Sequence, residues 1–423
     1  MRHNHVRQGS VIIVAMIVLF ALAATVLTMA RNARIDMSLS ANTLSERQAE
    51  SIATGAEQYV LSILTSYRDS LDDLTESQFR EIPIGGGYFW IVRPNYGDDS
   101  LPTYGLLDET SKLNLNTVSL DSLRLLPGMT DNLAGAIVDW RDSDDEISDN
   151  GAESGTYLSK RDGYRTKNAP FESVEELLLV EGMTPELLYG YSAGTRTVVS
   201  EYYQMRGLCD FFTVFTRQPN TASDGTARIN INIQRTQARE LLREKLSRSR
   251  GDEIMNLLGT QPVEDVFDLA SKTRMTYDEL LLVCDYLTTR PTNQQQRGLI
   301  NINQAPREVL LTLPNLSESE VDSLISRRST ESMTHPTSIA WVYDVLKEKS
   351  VGLANLITGR GRQFCADIVA VSDRARAFKW IRIVVDTTSS TPRIVYRRDL
   401  TERGWPLDQS ILTALKGESG GMR

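Results

Sequence analysis

The chain has 423 residues, 41% of them hydrophobic and 24% charged, and a formal net charge of −9. That length allows a sizeable core in two or three domains, and the acidic balance turns the molecule as a whole away from nucleic acid and anionic lipid. His3, His5 and His335 are the only histidines, so histidine-dependent catalysis would rest on His335 alone. Cys209, Cys284 and Cys365 stand far apart with no CxxC and no neighbouring histidine, which speaks against a metal or redox motif and leaves one disulfide plus a spare thiol open.

Ser10 to Ala30, "SVIIVAMIVLFALAATVLTMA", carries no charge and matches the roughly 20 residues that cross a bilayer as a helix. Arg2 and Arg7 precede it with no acid, which favours a cytoplasmic N-terminus and an exported remainder. The run is too long for the apolar core of a cleaved signal peptide, about 7–15 residues, although a plain signal anchor has the same appearance. "RQG" at Arg7–Gly9, followed at once by Ser10 and the apolar run, resembles the leader of type IV pilins and pseudopilins. The resemblance implies cleavage by a prepilin peptidase between Gly9 and Ser10. Most such proteins have Phe or Met first and Glu fifth after the cut; here Ser10 and Val14 hold those places.

Beyond the membrane, Leu39, Leu44, Ile52, Ala56, Tyr59, Val60 and Ile63 recur mostly at three- and four-residue steps. The pattern predicts one helix running to about Tyr67, on the order of 85 Å long at the usual rise per residue. "GGGYFWIVRPNYG" (Gly85–Gly97) reads as turn, strand, turn, and further strands are expected at Ala366–Val371, Phe378–Val385 and Arg393–Arg398. The predicted fold is therefore α+β: a long N-terminal helix on a small antiparallel sheet, with a large helical insertion between the first and last strands.

The insertion repeats. "KLNLNTVSLDSLRLLPGMTDNLAGAIVDWR" (Lys112–Arg141) aligns with "LININQAPREVLLTLPNLSESEVDSLISRR" (Leu299–Arg328), and Arg228–Leu242 opens a third, degraded copy. Asn116 and Asn303 are expected to cap the helices that follow them. "LLPGMTDNLAGAIVDWR" looks like a helix-hairpin-helix or SAM-like unit, a motif that can grip a DNA backbone. Only Gly128 stands where two glycines are usual, and acids lie in and beside both hairpins, so a packing unit without nucleic acid is favoured over a membrane-anchored DNA-binding or uptake protein.

The acidic loop "DWRDSDDEISDNGAE" (Asp139–Glu153) admits three readings. A catalytic carboxylate pair needs an apolar pocket that this polar stretch does not promise. A solvated loop is the plain alternative. The third is a Ca²⁺ site, because calcium takes six to eight oxygens from irregular loops, although the spacing is not that of an EF-hand. "LLDETSKLNLNT", "AIVDWRDSDDEISDNGAESGTY", "YRTKNAPFESVEELLLVEGMTPELL" and "ININQAPREVLLTL" together resemble the protein K family of type II secretion, over most of Leu106–Leu313. That family characteristically lacks the fifth glutamate, as here.

The resemblance implies a pilin-type helix and sheet with an inserted helical domain that binds calcium, and Asp142, Asp144, Asp145, Asp149 and Glu153 are the expected ligands. It also implies a non-enzymatic minor pseudopilin at the tip of a periplasmic filament. Expected partners are I- and J-type minor pseudopilins, the major pseudopilin, the prepilin peptidase and the inner-membrane secretion platform, with no nucleic acid. A membrane-anchored hydrolase using the acid cluster is the remaining rival. The expected division is a leader at 1–9, a membrane helix at 10–30, its amphipathic continuation at 31–70, and the first part of the β-domain at 71–105. The insertion follows at 106–207, with the acidic loop, and 208–364, then closing strands at 365–410 and a tail at 411–423.

Overall fold

A computed structural model describes residues 8–67, 74–93, 103–190, 206–291 and 294–417. Leader residues 1–7, the turn at Asn95–Gly97 and the last residues of the tail lie outside the described residues. With no proline in the way, helix α1 runs unbroken from Gln8 to Ser66, about 88 Å at the standard rise. Its first half projects free of the head: Ile12, Phe20, Leu27 and Met37 are all exposed. From Ser45 onward the inner face is buried, and Ile52, Ala53, Ala56, Val60, Ile63 and Leu64 pack on one side of a sheet.

Four strands precede the insertion: β1 (Ile82–Ile84), β2 (Gly87–Arg93), β3 (Thr103–Tyr104) and β4 (Leu107–Asp108). Within it lie two-residue strands β5 (Leu113–Asn114), β6 (Phe212–Thr213), β7 (Arg217–Gln218), β8 (Ile229–Asn230), β9 (Leu287–Thr288), β10 (Gln296–Arg297), β11 (Ile300–Asn301) and β12 (Ile357–Thr358). After it come β13 (Gln363–Val371), β14 (Phe378–Asp386) and β15 (Arg393–Asp399), where the sequence places strands. The main sheet has the order β1-β2-β13-β14-β15 and is antiparallel, with β4 and β3 paired at its margin. The first and last thirds of the chain thus build one sheet around the insertion. Alternation along β2, β13 and β14 turns Phe89, Ile91, Ala366, Ile368, Ile381 and Ile383 toward α1. Each such aliphatic side chain contributes about 1.5–3 kcal/mol by leaving water. Trp90, Val369 and Val371 face the other way, under Trp405, Leu407 and the C-terminal helix Gln409–Gly417. Gly87 permits the close approach: a Cβ there would lie 2.2 Å from Val371 O and 2.6 Å from Ile52 Cδ1.

The insertion contains three closed units. Each begins with a short strand and returns by another that pairs with it in parallel: β5 with β6, β8 with β9, β11 with β12. The copy at Arg228–Leu242, degraded in sequence, is complete in structure, because helix Arg248–Leu258 supplies the second arm of its first hairpin. In every unit the first asparagine folds its side chain over its own turn: Asn114, Asn230 and Asn301 Oδ1 accept from the N–H of Asn116, Asn232 and Asn303.

The second asparagine does not cap a helix, contrary to expectation. The following helix is capped by Ser119 in the first unit and begins after Pro306 in the third. Asn116 instead accepts from Phe171 N at 2.7 Å and donates to Phe171 O at 3.0 Å, and Asn232 does the same with Val263 at 2.9 and 2.8 Å. Asn303 donates to Pro336 O and Gly359 O and accepts from Trp341 Nε1. A cap uses only an acceptor. An amide side chain carries both donor and acceptor and so can match a whole peptide group of a distant segment, as Asn116 and Asn232 do.

The hairpin turns share a device that the sequence masks. Gly128, Gly182, Arg274 and Asn315 take positive φ, and two residues later Thr130, Thr184, Thr276 or Ser317 caps the next helix. Asparagine tolerates the left-handed region, so "PNLS" makes the turn that "PGMT" makes with glycine. Cys209, Cys284 and Cys365 are all free thiols.

Two outcomes test this architecture. Asn232→Ala strands the Val263 peptide, and the urea midpoint should fall by an amount equivalent to about 1–3 kcal/mol. At the seam between sheet and insertion, Asp386 is buried. Burial favours its protonated form, but hydrogen bonds from Thr388 N–H, Arg217 and Gln363 outweigh that and hold its pKa at about 2. Its stabilisation is therefore whole above the ordinary carboxylate pKa near 4 and is lost as pH falls toward 2. Asp386→Asn should flatten the urea midpoint against pH between 4 and 2.

Candidate functional site: a carboxylate nest at the end of a buried helix

Helix α2 (Leu120–Arg124) and helix α3 (Asp131–Arg141) form the first hairpin of the first unit, and α3 is almost wholly buried. Its last turn places Asp139 and, at the C-cap, Asp142 three residues apart and hence on neighbouring positions of one face. The loop then circles back across the same helix. Its backbone at Asp149, Asn150 and Gly151 lies 2.7–2.8 Å from where a Cβ of Gly135 would be. Gly151 crosses the Asp139 carboxylate so closely that a Cβ would stand 2.0 Å from Oδ2. Asn150 and Asn168, both at positive φ, bend the chain on either side of Glu153. Beneath the loop Trp140, Tyr157 and Tyr164 stack edge to face and tilted, giving it an apolar floor.

This folding brings Asp139, Asp142 and Glu153 together, with one carboxylate oxygen from each within 4.8 Å of the others. Asp139 is fully buried and accepts from Ser148 N at 3.1 Å. Glu153 is 3% exposed and uses one oxygen to accept from Thr166 Oγ1 at 3.0 Å. Two buried oxygens in the nest have no donor, Asp142 Oδ1 and Glu153 Oε1, and neither has Oδ1 of Asn168, whose Nδ2 donates to Asp144 O in the same loop. No ion pair reaches Asp139, Asp142 or Glu153 among the described residues. Arg141, next in sequence, donates instead to the carbonyls of Leu115 and Val118, and Arg124 pairs with Asp149, Asp131 and Asp121.

Such crowding shows in the acidities. Burial, then the charges of Asp139 and Asp142 and the hydrogen bond with Asp145, push Glu153 up to about 7 against the opposing Thr166 hydroxyl. Asp142 is raised by burial first and then by Asp144 and Asp139. Orphaned acceptors and repelling carboxylates in one buried pocket form the donor set of a hard cation, which would satisfy all of them at once.

The residues expected from sequence divide. Asp142 and Glu153 lie in the nest. Asp144 is exposed and accepts from Glu146 N, Asp145 is exposed and reaches Glu153, and Asp149 is exposed and bound to Arg124 at 2.8 Å. Asp139 and Asn168 were missed as site residues. The signal for Asp139 was its spacing from Asp142, directly after the apolar run Leu133–Val138 of the helix. Asn168 carried none, because only the return of the chain after Glu153 brings it near. Gly9 and Ser10 fall within α1.

Helix, sheet and insertion define a class: an α+β protein in which, among the described residues, one N-terminal helix is apolar and long enough to cross a membrane and a helical domain is inserted between the strands of an antiparallel sheet. Residues 111–191, which include the nest, match the family model for type II secretion system protein K. A curated relative, the type II secretion system protein K of Klebsiella pneumoniae, is 24% identical over 262 residues, covering 57% of this chain and 76% of that protein. A solved chain of the GspK–GspI–GspJ complex of enterotoxigenic Escherichia coli covers 84% of this chain and 96% of its own, at 13% identity and a TM-score of 0.42, a likeness too distant to argue from. Over these residues the chain is similar to the type II secretion system protein K family.

Proposed function

We propose that this protein is the terminal minor pseudopilin of a type II secretion filament, a structural subunit that primes assembly and caps the tip during export of folded proteins. The supporting observation is the division of α1. Its first half offers apolar side chains to lipid or to neighbouring helices, and its second half is already occupied by its own sheet. A subunit anchored in this way bundles by its tail, and its bulk lies on the periplasmic side of the inner membrane. The insertion, larger than the sheet that carries it, leaves no surface matching another subunit's base, so growth stops at this member. Val14, apolar where most pilins have glutamate, suits a subunit with no neighbour stacked above it. Prepilin peptidase would cut between Gly9 and Ser10, and I- and J-type minor pseudopilins, the major pseudopilin and the inner-membrane platform are the proposed partners.

The family assignment does not favour the DNA-binding alternative. The first turns of the hairpin helices carry Asp131, Glu186, Asp278, Glu279, Glu318 and Glu320, which would repel a phosphate approaching those N-termini.

Calcium is the proposed ion of the nest. Asp139, Asp142 and Glu153 would supply carboxylate oxygens and Asn168 an amide oxygen, and the ion would neutralise the acids and fix the loop to α3. Chelation should then lower the melting temperature of the full chain in detergent, and Asp142→Ala combined with Glu153→Ala should abolish the chelator's effect. An unchanged melting curve in EDTA would remove calcium from the reading.

For the filament role, co-expression with I- and J-type minor pseudopilins should yield one complex of uniform mass by light scattering. Cells lacking the chain should retain their exported enzymes. Separate elution together with normal export would overturn the proposal.

A further inference from the structure

Between the second and third units of the insertion lies a cleft of about 520 Å³. Its walls are the segment through β9 to Arg290, the segment through β12 to Arg360, and the loop at 334–339 that follows the third unit's long helix. In a protein of net charge −9, this cleft is lined by Arg228, Arg290, Arg360, Lys245 and His335, against Asp285 as the only carboxylate among its described residues.

Asp285 is already committed. Arg228 Nη2 reaches its Oδ1 at 2.7 Å, Arg360 Nη2 lies 3.7 Å from the same oxygen, and Ser223 N–H donates to Oδ2. Lys245 rests over the Tyr286 ring at 4.3 Å and lies 3.8 Å from Glu244. Arg290 differs. Its backbone is engaged, donating to Thr288 Oγ1 and accepting from Asn230 Nδ2. Its guanidinium has no carboxylate or carbonyl partner among the described residues. Burial, and then the positive charge of Arg228 beside it, lower its pKa from the usual value.

A half-buried guanidinium next to a second cation is costly unless an anion joins it, and its planar fork matches an oxyanion with two hydrogen bonds. We infer that this cleft binds an oxyanion, carboxylate or phosphate, carried by a ligand seated between the second and third units, with Arg290 as its principal donor and Arg228, Arg360 and Lys245 around it. The site is far in sequence from the acidic loop and does not depend on a cation there. A ligand held here would touch two of the three units at once and so couple them.

The test uses the full chain in detergent, in calcium-free buffer of low ionic strength, titrated by calorimetry with inorganic phosphate and separately with succinate. At least one should bind saturably at one per chain, and whichever binds more tightly identifies the phosphate or the carboxylate source. Arg290→Gln should weaken that binding at least tenfold, and Arg374→Gln, an exposed cation in the turn between β13 and β14, should leave it unchanged. Arg290→Lys keeps the charge but loses the fork; it should weaken binding several-fold, and it serves if the glutamine variant does not fold. The inference falls if neither probe saturates, or if the Arg290 variants bind as the wild type does.

Discussion

The pairing of β4 with β13 is the constraint on which the rest of the molecule depends. The chain leaves the sheet at Asp108 and returns at Phe364, and the register places those two residues opposite each other, with Leu107 opposite Cys365. Everything between must fold so that its ends meet at one ladder position. Asp108 fastens the joint. It is fully buried, accepts from Thr110 N at 2.8 Å and from Asn301 Nδ2 at 2.6 Å, and lies directly beneath Gly361. Asn301 belongs to the third unit, so the last part of the insertion is tied to the strand where the first part departs. The loop-closure entropy of so long an excursion grows only slowly with its length, and these few contacts suffice once the units are folded.

Within that joint the three units solve the same problem on a smaller scale. Each closes on itself through a two-residue parallel strand pair, far too short to be stable alone, reinforced by an asparagine amide that pairs with a whole peptide group in the first two units and with two carbonyls and the Trp341 indole in the third. Their hydrophobic residues nevertheless form one continuous cluster running from Leu113 to Ile357. Polar clamps set the fold of each unit, and the continuous apolar cluster joins the units, together with a few polar contacts such as Ser122 Oγ to Thr312 O and Tyr277 Oη to Glu331. A ligand between the second and third units would act beside a seam that Asn355 Nδ2, donating to Glu264 O, and Asp265, accepting from Gly352 N and Ala354 N, already cross.

Charge is distributed with the same economy. Along the sheet edge Lys379 bridges Glu50 and Asp399 at 2.9 and 2.6 Å and Arg397 reaches Glu57 at 2.7 Å, so the long helix is fixed to the strands by ion pairs on its flank and by aliphatic contacts underneath. In the nest of Asp139, Asp142 and Glu153 acceptors lack donors, and in the basic cleft the Arg290 guanidinium has no carboxylate or carbonyl partner among the described residues. Buried polar groups in folded proteins are nearly all satisfied, which is why these two places carry the proposals for an ion and for an oxyanion.

Much of this was written locally in the sequence. The 3.6-residue pattern and the absence of proline determined α1, the alternation of Phe89, Trp90 and Ile91 and the β-branched runs near the C-terminus determined the strands, and the repeated Asn-x-Asn announced the units. Asp142 and Glu153 were legible because carboxylates crowded in one loop repel unless something binds them. Asp139 joined them only when the loop folded back over Gly135, and the roles of Asn116 and Asn303 were misread because a side-chain amide does not reveal its partner until distant chain arrives. Arg290 carried no signal at all: its isolation exists only because Asp285, the one acid in the cleft, is taken by Arg228 and Arg360. Periodicity and turn chemistry act over a few residues and so can be read in order; the pairing of charges and amides is decided by which segments the closed fold brings side by side.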